Sequence, residues 1–314
     1  MENRRQFLKK SLVTCAAATL PACTKETAAI NQKNLKTTDP QKALVLWYSQ
    51  TGHTERYGKI IAHALKKAQI LADASDIREF DIKKIDQYDL IIAGTPVHYY
   101  DVPKNFKDWI QCLKRIDGTA VAAYSTFGGP GDNQMNTACT LVELLREKGG
   151  IPIGFEMFGN MSTFAPTWSV GNEKRILKYR HLPDKNTYNK VRTFAQQVIE
   201  NTRTGKRVLP DKEFAMAEAW KLLPIVWGTK LAIGKHTINQ DKCIGCGTCV
   251  EKCPVWAIIL EDFSINTKRC IACMGCVNNC PEGAIEMTFM GSKVIGFYDF
   301  MENNNIKIPE PEFS

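Results

Sequence analysis

Eight of the chain's 12 cysteines lie between positions 243 and 280, and their spacing repeats. Cys243, Cys246, Cys249 and Cys253, followed by Pro254, make one C-x2-C-x2-C-x3-C-P run. Cys270, Cys273, Cys276 and Cys280, followed by Pro281, make a second one 27 residues later. Even the continuation repeats, with Ala257-Ile258 answering Ala284-Ile285. Such a density of thiols could build a disulfide framework, a zinc module or an iron–sulfur module, and spacing chooses among them. Zinc sites set pairs of ligands apart by a longer loop, and disulfides give no reason for a duplicated run. Iron–sulfur chemistry, the transfer of single electrons, is the expectation that remains. The other four cysteines, Cys15, Cys23, Cys112 and Cys139, are scattered.

A second constellation lies near the start. The apolar run 43–48 is followed by Ser49, Gln50, Thr51, Gly52, His53 and Thr54, and then by a helical pattern. Three hydroxyls, a glycine that lets the backbone approach a ligand, and the free N–H groups of a helix start together suit a phosphate without any Lys or Arg. Neither the Gly-x-x-x-x-Gly-Lys of a triphosphate site nor the Gly-x-Gly-x-x-Gly of a dinucleotide site is present.

The elements that must position these groups can be read from periodicity. A run apolar at every position, as in 43–48, suits a parallel strand covered on both faces. Tyr57, Ile60, Ile61, Ala64, Leu65 and Ala68 then mark one buried stripe of a helix. Further strands are expected at 77–82, 90–94, 120–124 and 151–157, with helices at 103–113, 135–148 and 186–201. Five strands alternating with helices make a doubly wound α/β sheet, which binds ligands at the carboxyl ends of its strands. Residues 158–183 have no clear periodicity. They are expected to form a long loop that lies over a ligand, meets an acidic partner or presents a solvated basic face. Residues 201–235 carry 7 basic against 3 acidic side chains and read as a linker helix and strand, packed between domains or lightly against a membrane surface.

Length and charge agree with two domains. A chain of 314 residues exceeds one typical domain, and its composition is that of a globular protein rather than a disordered or fibrous one. The net charge is +8, yet from Thr237 onward there are 6 basic and 10 acidic residues, so the positive charge lies in the first three quarters. No apolar stretch approaches the ~18 to 20 residues of a membrane span, which excludes a polytopic transporter. No acid, base or nucleophile constellation suggests a catalytic set, and His63, His181 and His236 sit in no ligand-spaced cluster. No basic helix or aromatic platform argues for nucleic acid.

Three resemblances sharpen these expectations. Tyr48-Ser49-Gln50-Thr51-Gly52-His53-Thr54 resembles the FMN phosphate loop of flavodoxins, over a region reaching from Ala43 to about Asn201. The likeness implies a flavodoxin-like fold and FMN, with the isoalloxazine ring enclosed by the loops after the third and fourth strands. Those would supply Pro96, Val97, His98, Tyr99 and Tyr100, and Thr126, Phe127, Gly128, Gly129, Gly131 and Asp132. Tyr99, Tyr100 and Phe127 are available to stack on the ring. The cysteine runs resemble the bacterial two-cluster ferredoxin pattern, in which the fourth cysteine of each run serves the other cluster. The likeness implies a small α+β domain with two 4Fe–4S clusters, one held by Cys243, Cys246, Cys249 and Cys280 and the other by Cys270, Cys273, Cys276 and Cys253. Finally, Asn3-Arg4-Arg5-Gln6-Phe7-Leu8-Lys9, ending at Leu20-Pro21-Ala22-Cys23, resembles a twin-arginine export signal with a lipobox. Asn3 stands where that signal usually has Ser or Thr. The likeness implies export to the periplasm or the outer face of the cytoplasmic membrane, with lipidated Cys23 as anchor.

The resulting organisation is a signal at 1–23, a tether at 24–42, a flavodoxin-like FMN domain at 43–201, a linker at 202–236, a two-cluster domain at 237–290 and a tail at 291–314. In this order the chain resembles the bacterial flavodoxin-domain ferredoxins, which implies electron transfer with redox-protein partners or a quinone. Two other functions stay open: a flavin-dependent reductase of a quinone or small molecule fed by the clusters, and a ferredoxin whose first domain is a cofactor-free docking module.

Overall fold

The computed structural model describes residues 34–129, 134–212 and 216–313. Arg4, Arg5 and Cys23 lie outside the described residues, as do Gly131 and Asp132.

The chain alternates β1 (Lys42–Trp47), α1 (His53–Lys67), β2 (Leu71–Asp76), β3 (Leu90–Pro96), α2 (Lys104–Gln111), β4 (Ala120–Phe127), α3 (Gln134–Glu147) and β5 (Ile151–Gly159). Short helices α4 (Pro166–Ser169) and α5 (Glu173–Leu177) precede the long α6 (Lys185–Thr204). The five strands pair in parallel in the order β2-β1-β3-β4-β5, the flavodoxin-like doubly wound order. The continuous apolar run of β1 serves two cores at once. Ala43, Val45 and Trp47 pack with α1 and α6 on one face, and Leu44 and Leu46 with α2 and α3 on the other. Fully burying a side chain such as Ile61 or Leu65 stabilises by about 1.5 to 3 kcal/mol, which holds α1 to the sheet despite its polar outer face.

Two expectations need correction. The second strand is Leu71–Asp76, not 77–82. It is an edge strand with half its residues exposed, so it lacks the apolar run that betrays a central strand. Ile77 instead starts a turn, and a short 3-10 helix at Ile82–Gln87 is capped by the Asp81 carboxylate, which accepts from the Lys83 amide. Residues 158–183 are not one long loop either. They finish β5 and form α4 and α5, and Met161, Ala165, Trp168 and Ile176 are buried in a core shared with the cysteine-rich region.

After α6 come a short 3-10 helix at Met216–Leu222, α7 (Ile225–Ala232) and β6 (Ile233–Ile238). None of the residues of α7 is buried, and Trp227 and Leu231 are exposed. The cysteine-rich region consists of α8 (Thr248–Lys252), hairpin strands β7 (Ile258–Ile259) and β8 (Ser264–Ile265), α9 (Gly275–Asn279), β9 (Ile285–Phe289) and β10 (Ser292–Lys293). β6 joins β9 and β10 in an antiparallel sheet. A last helix, α10 (Phe297–Asn303), leads into a tail that returns to the first half. There Arg56 meets Glu310 at 2.6 Å, the Tyr188 hydroxyl donates to the Pro309 carbonyl at 2.5 Å, and Arg192 donates to the Glu312 carbonyl at 2.6 Å. Residues 35–314 accordingly form one compact unit. Among the described residues no helix is long and apolar enough to cross a membrane.

Candidate functional site

The duplicated cysteine runs fold as duplicated backbone. Left-handed residues occur in pairs 27 positions apart: Gly245 with Ala272, Gly247 with Met274, Trp256 with Gly283, and Phe263 with Met290. Gly247 and Met274 begin the equivalent helices α8 and α9, and each helix brings cysteines onto its inner side. The amide of Ala257 donates to Cys253 Sγ at 3.2 Å, and that of Ala284 to Cys280 Sγ at 3.1 Å, the same contact twice. An L-residue in the left-handed region is strained. Met274 accepts that strain while its side chain is buried in the shared core.

The runs do not close on themselves. Cys243, Cys246 and Cys249 line one apolar cavity with Cys280, the last cysteine of the other run, beside Ile238, Leu260 and Ile285. Cys253 stands instead with Cys270, Cys273 and Cys276, close enough for their charges to act on one another. Burial pushes the thiols of Cys249 and Cys273 up to about 11 and also raises Cys270 and Cys276. A thiolate in such surroundings needs a nearby cation, and iron supplies one. Cys246 differs, because it is exposed and the Thr248 hydroxyl beside it lowers its pKa. Among the described residues no three His, Cys, Asp or Glu side chains converge on a point as a single metal ion requires. Four cysteines spread around a volume suit a cluster better, so the donor set and its arrangement fit iron–sulfur groups.

At the carboxyl end of the parallel sheet, Gly52 takes φ +87° and opens α1, a conformation that glycine adopts without strain. Ser49, Thr51, His53 and Thr54 are buried around it. The Ser49 amide donates to the Asp76 carboxylate at 3.2 Å, which the β1–β2 register places beside Trp47. The hydroxyls of Thr54 and Thr126 share a hydrogen bond of 2.9 Å, and the Tyr124 hydroxyl donates to the Thr54 carbonyl at 2.9 Å. Pairing of Pro96 with Thr126 across β3 and β4 brings the other two expected flavin loops to the same edge. Both ring nitrogens of His53, and Nε2 of His98, are buried without a hydrogen-bond partner. Burial lowers the His53 pKa to about 3, helped by Arg56, and burial lowers His98 to about 4. The neutral, unpartnered imidazole of His53, beside hydroxyls at a helix start, leaves polar atoms for a ligand to satisfy. The described residues therefore fit a flavin phosphate group.

The two sites face each other. The Tyr99 hydroxyl donates to the carbonyl of Ala272, between Cys270 and Cys273, at 2.9 Å, and its ring meets Phe164 edge-on. Tyr99 and Tyr100 both have positive φ, and Tyr100 is exposed. Val97 receives its place from the Thr126 carbonyl, to which its amide donates at 2.8 Å, while Phe127, Gly128 and Gly129 are half-buried at the end of β4. His53 lies edge-on to Phe297 of α10. Of three residues near the cluster cysteines, the sequence pointed to Tyr48 only within the flavodoxin-type string, to His236 only as a histidine outside any ligand cluster, and to Arg78 not at all. Arg78 bridges Asp76, the Ser49 carbonyl and the carbonyls of Glu251 and Lys252; Tyr48 accepts from Gln50; and His236 Nε2 lies 3.6 Å from Cys276 Sγ. No spacing signal exists for them, because strand pairing and domain packing bring them in.

A flavodoxin domain model matches residues 44–149, and a 4Fe–4S dicluster domain model matches residues 242–285. The chain is a flavodoxin-like half fused to a ferredoxin half. Among solved structures, oxidised Flavodoxin 1 from Bacillus cereus is 18% identical over 51% of this chain and 97% of its own, with a TM-score of 0.39. Flavodoxin 2 of the same organism is 19% identical over 51% and 99%, with a TM-score of 0.40. The rubredoxin oxygen:oxidoreductase of Desulfovibrio gigas is 15% identical over 52% of this chain and 37% of its own, with a TM-score of 0.39. No curated protein matches the chain. The flavodoxin half thus carries the flavin-type site, the ferredoxin half carries the iron–sulfur cysteines, and the pairing of the two is that of an electron-transfer protein.

Proposed function

We propose that this protein moves single electrons between an external redox partner and FMN through two 4Fe–4S clusters. An iron–sulfur cluster exchanges one electron and a flavin one or two, so the pair converts between the two kinds of carrier. The residues of the chain do the holding. Cys243, Cys246, Cys249 and Cys280 bind the outer cluster, where exposed Cys246 gives a partner access. Cys253, Cys270, Cys273 and Cys276 bind the inner one. Ser49, Thr51 and Thr54 hold the flavin phosphate, and Pro96 to Tyr100 and Thr126 to Gly129 flank the ring. The observation that carries this reading is the contact of Tyr99, in a flavin loop, with Ala272, in the inner cysteine run. That side of the flavodoxin half faces the ferredoxin half, which favours delivery through the clusters over a flavin open to a small substrate. The N-terminal likeness adds export by the twin-arginine route and a lipid anchor at Cys23, so the partner is a redox protein or quinone at the outer face of the cytoplasmic membrane.

Anaerobic purification with iron and flavin counts tests the reading. It requires about eight irons and one FMN per chain, with flavin reduction by a one-electron donor that stops once the clusters are removed by a chelator. Full iron without flavin would leave only the docking-module reading. Turnover of a quinone or small molecule at the flavin that stops on cluster removal would make the protein a flavin reductase fed by the clusters.

A further inference from the structure

The two cysteine runs repeat in backbone, but one position of the repeat differs in chemistry. β6 leads into the first run and β8 into the second, and the two strands make matching pairs. Ile238 pairs with Ile285 and Ile265 with Ile258, each partner lying five residues after a fourth cysteine. Two residues before these paired isoleucines stand His236 in one half and Phe263 in the other. Side chains alternate along a strand, so His236 shares a face of β6 with Ile238, opposite the buried Met287 and Ile285 of β9. There His236 Nε2 lies 3.6 Å from the sulfur of Cys276, a residue of the other run. Phe263 packs against the same core but carries no nitrogen or oxygen in its ring. The outer set has a hydroxyl near one sulfur, Thr248 at 3.4 Å from Cys246, yet that sulfur is exposed and water competes for it.

We infer that His236 is a tuning residue of the inner cluster: its Nε2–H donates to the Cys276 sulfur, whereas the repeat puts a phenyl ring, Phe263, at the corresponding position. This rests on the reading that Cys253, Cys270, Cys273 and Cys276 hold a cluster. A cysteine that ligates iron does so as a thiolate and has no proton left to give, so in the loaded protein the hydrogen of this contact belongs to Nε2. Reduction adds negative charge, part of which spreads onto the ligand sulfurs, and a donor aimed at one of them stabilises the reduced form more than the oxidised one. His236 thus raises the inner cluster's potential and shifts electrons from the exposed outer cluster toward the flavin half. It acts through Cys276, so its mark is a potential rather than an iron count.

The test is a redox titration of the full, cofactor-loaded protein followed by electron paramagnetic resonance. The inner cluster's signal is the one lost when Cys270, Cys273 and Cys276 are replaced by Ala. His236→Phe removes the donor and keeps an aromatic ring. At the wild-type midpoint of the inner cluster its reduced-to-oxidised ratio should drop about tenfold, equivalent to 59 mV for a one-electron couple, with the outer cluster unmoved. His236→Gln, whose amide places an N–H near the same point, should recover most of that shift. An unchanged midpoint in His236→Phe, or an equal shift of both clusters, overturns the assignment. So does a His236→Gln midpoint as low as that of His236→Phe, because the effect would then come from packing. A measurement on the unaltered chain guards against variants that lose iron: with 15N in the histidine rings, the reduced inner cluster should show a weak coupling to one imidazole nitrogen, and its absence is equally fatal. Two reducible centres in the unaltered protein establish the underlying reading separately, so a failure of the assignment is not confused with a failure of the clusters.

Discussion

The Tyr99 hydroxyl donates to the Ala272 carbonyl at 2.9 Å, which joins a loop of the flavodoxin sheet to the peptide between two cluster cysteines. Tyr99→Phe removes one hydrogen bond of about 1 kcal/mol and leaves the ring in place. Amide exchange in residues 96–101 should quicken about fivefold while iron content stays the same, because the loop then opens more readily. Unchanged exchange would show that the ring alone holds the loop.

The Arg56–Glu310 contact fastens the C-terminal tail to α1. Its hydrogen bond with Arg56 holds the Glu310 carboxyl below the usual glutamate range. A carboxylate whose folded pKa is depressed stabilises above its unfolded value, about 4.3, and loses that stabilisation as pH falls through its folded value. The tail should therefore loosen as pH drops below about 4.3, seen as faster exchange of residues 308–313. Since the Glu310 side chain is 73% exposed, the effect is small and weakens with salt. Glu310→Gln should flatten the pH dependence; a variant that keeps it would move the cause elsewhere.

The crossed ligation proposed above makes the two fourth cysteines diagnostic. Cys253→Ala should perturb the cluster held by Cys270, Cys273 and Cys276, and Cys280→Ala the one held by Cys243, Cys246 and Cys249. Comparison of each spin signal and iron count with variants that disable one three-cysteine run identifies the damaged cluster. Damage by Cys253→Ala confined to the cluster of its own run would mean local ligation.

For the flavin site, Thr51→Ala with Thr54→Ala should weaken FMN far more than riboflavin, each hydrogen bond to the charged phosphate being worth about 1.5 to 3 kcal/mol. Fluorescence titration with both ligands measures the difference. Equal losses would place the phosphate elsewhere or indicate a disturbed Thr54–Thr126 contact.

The N-terminal reading is tested in cells. Replacing Arg4 and Arg5 by Lys keeps the charge and should leave unprocessed protein in the cytoplasm, whereas Cys23→Ala should be exported but released from the membrane fraction. Normal export of the double-Lys chain would remove the twin-arginine route.

By itself the sequence determined what repeats or what is continuous. The cysteine spacing announced iron–sulfur chemistry because ligands close in sequence must wrap a compact group, and the apolar run 43–48 announced a central strand because burial on both faces leaves no polar position. The start of α1 was legible because its hydroxyls and Gly52 are all local. Strand 71–76 was not, since an exposed edge carries a weak pattern, and residues 158–183 hid two short helices whose apolar residues are spaced for a neighbouring half rather than for one helix face. The approach of Arg78 to Lys252, of Gln50 to Gly275 and of Tyr99 to Ala272 spans well over a hundred residues of chain in each case. Only tertiary packing could decide these contacts, because they depend on how two independently patterned halves meet, and no local propensity encodes that.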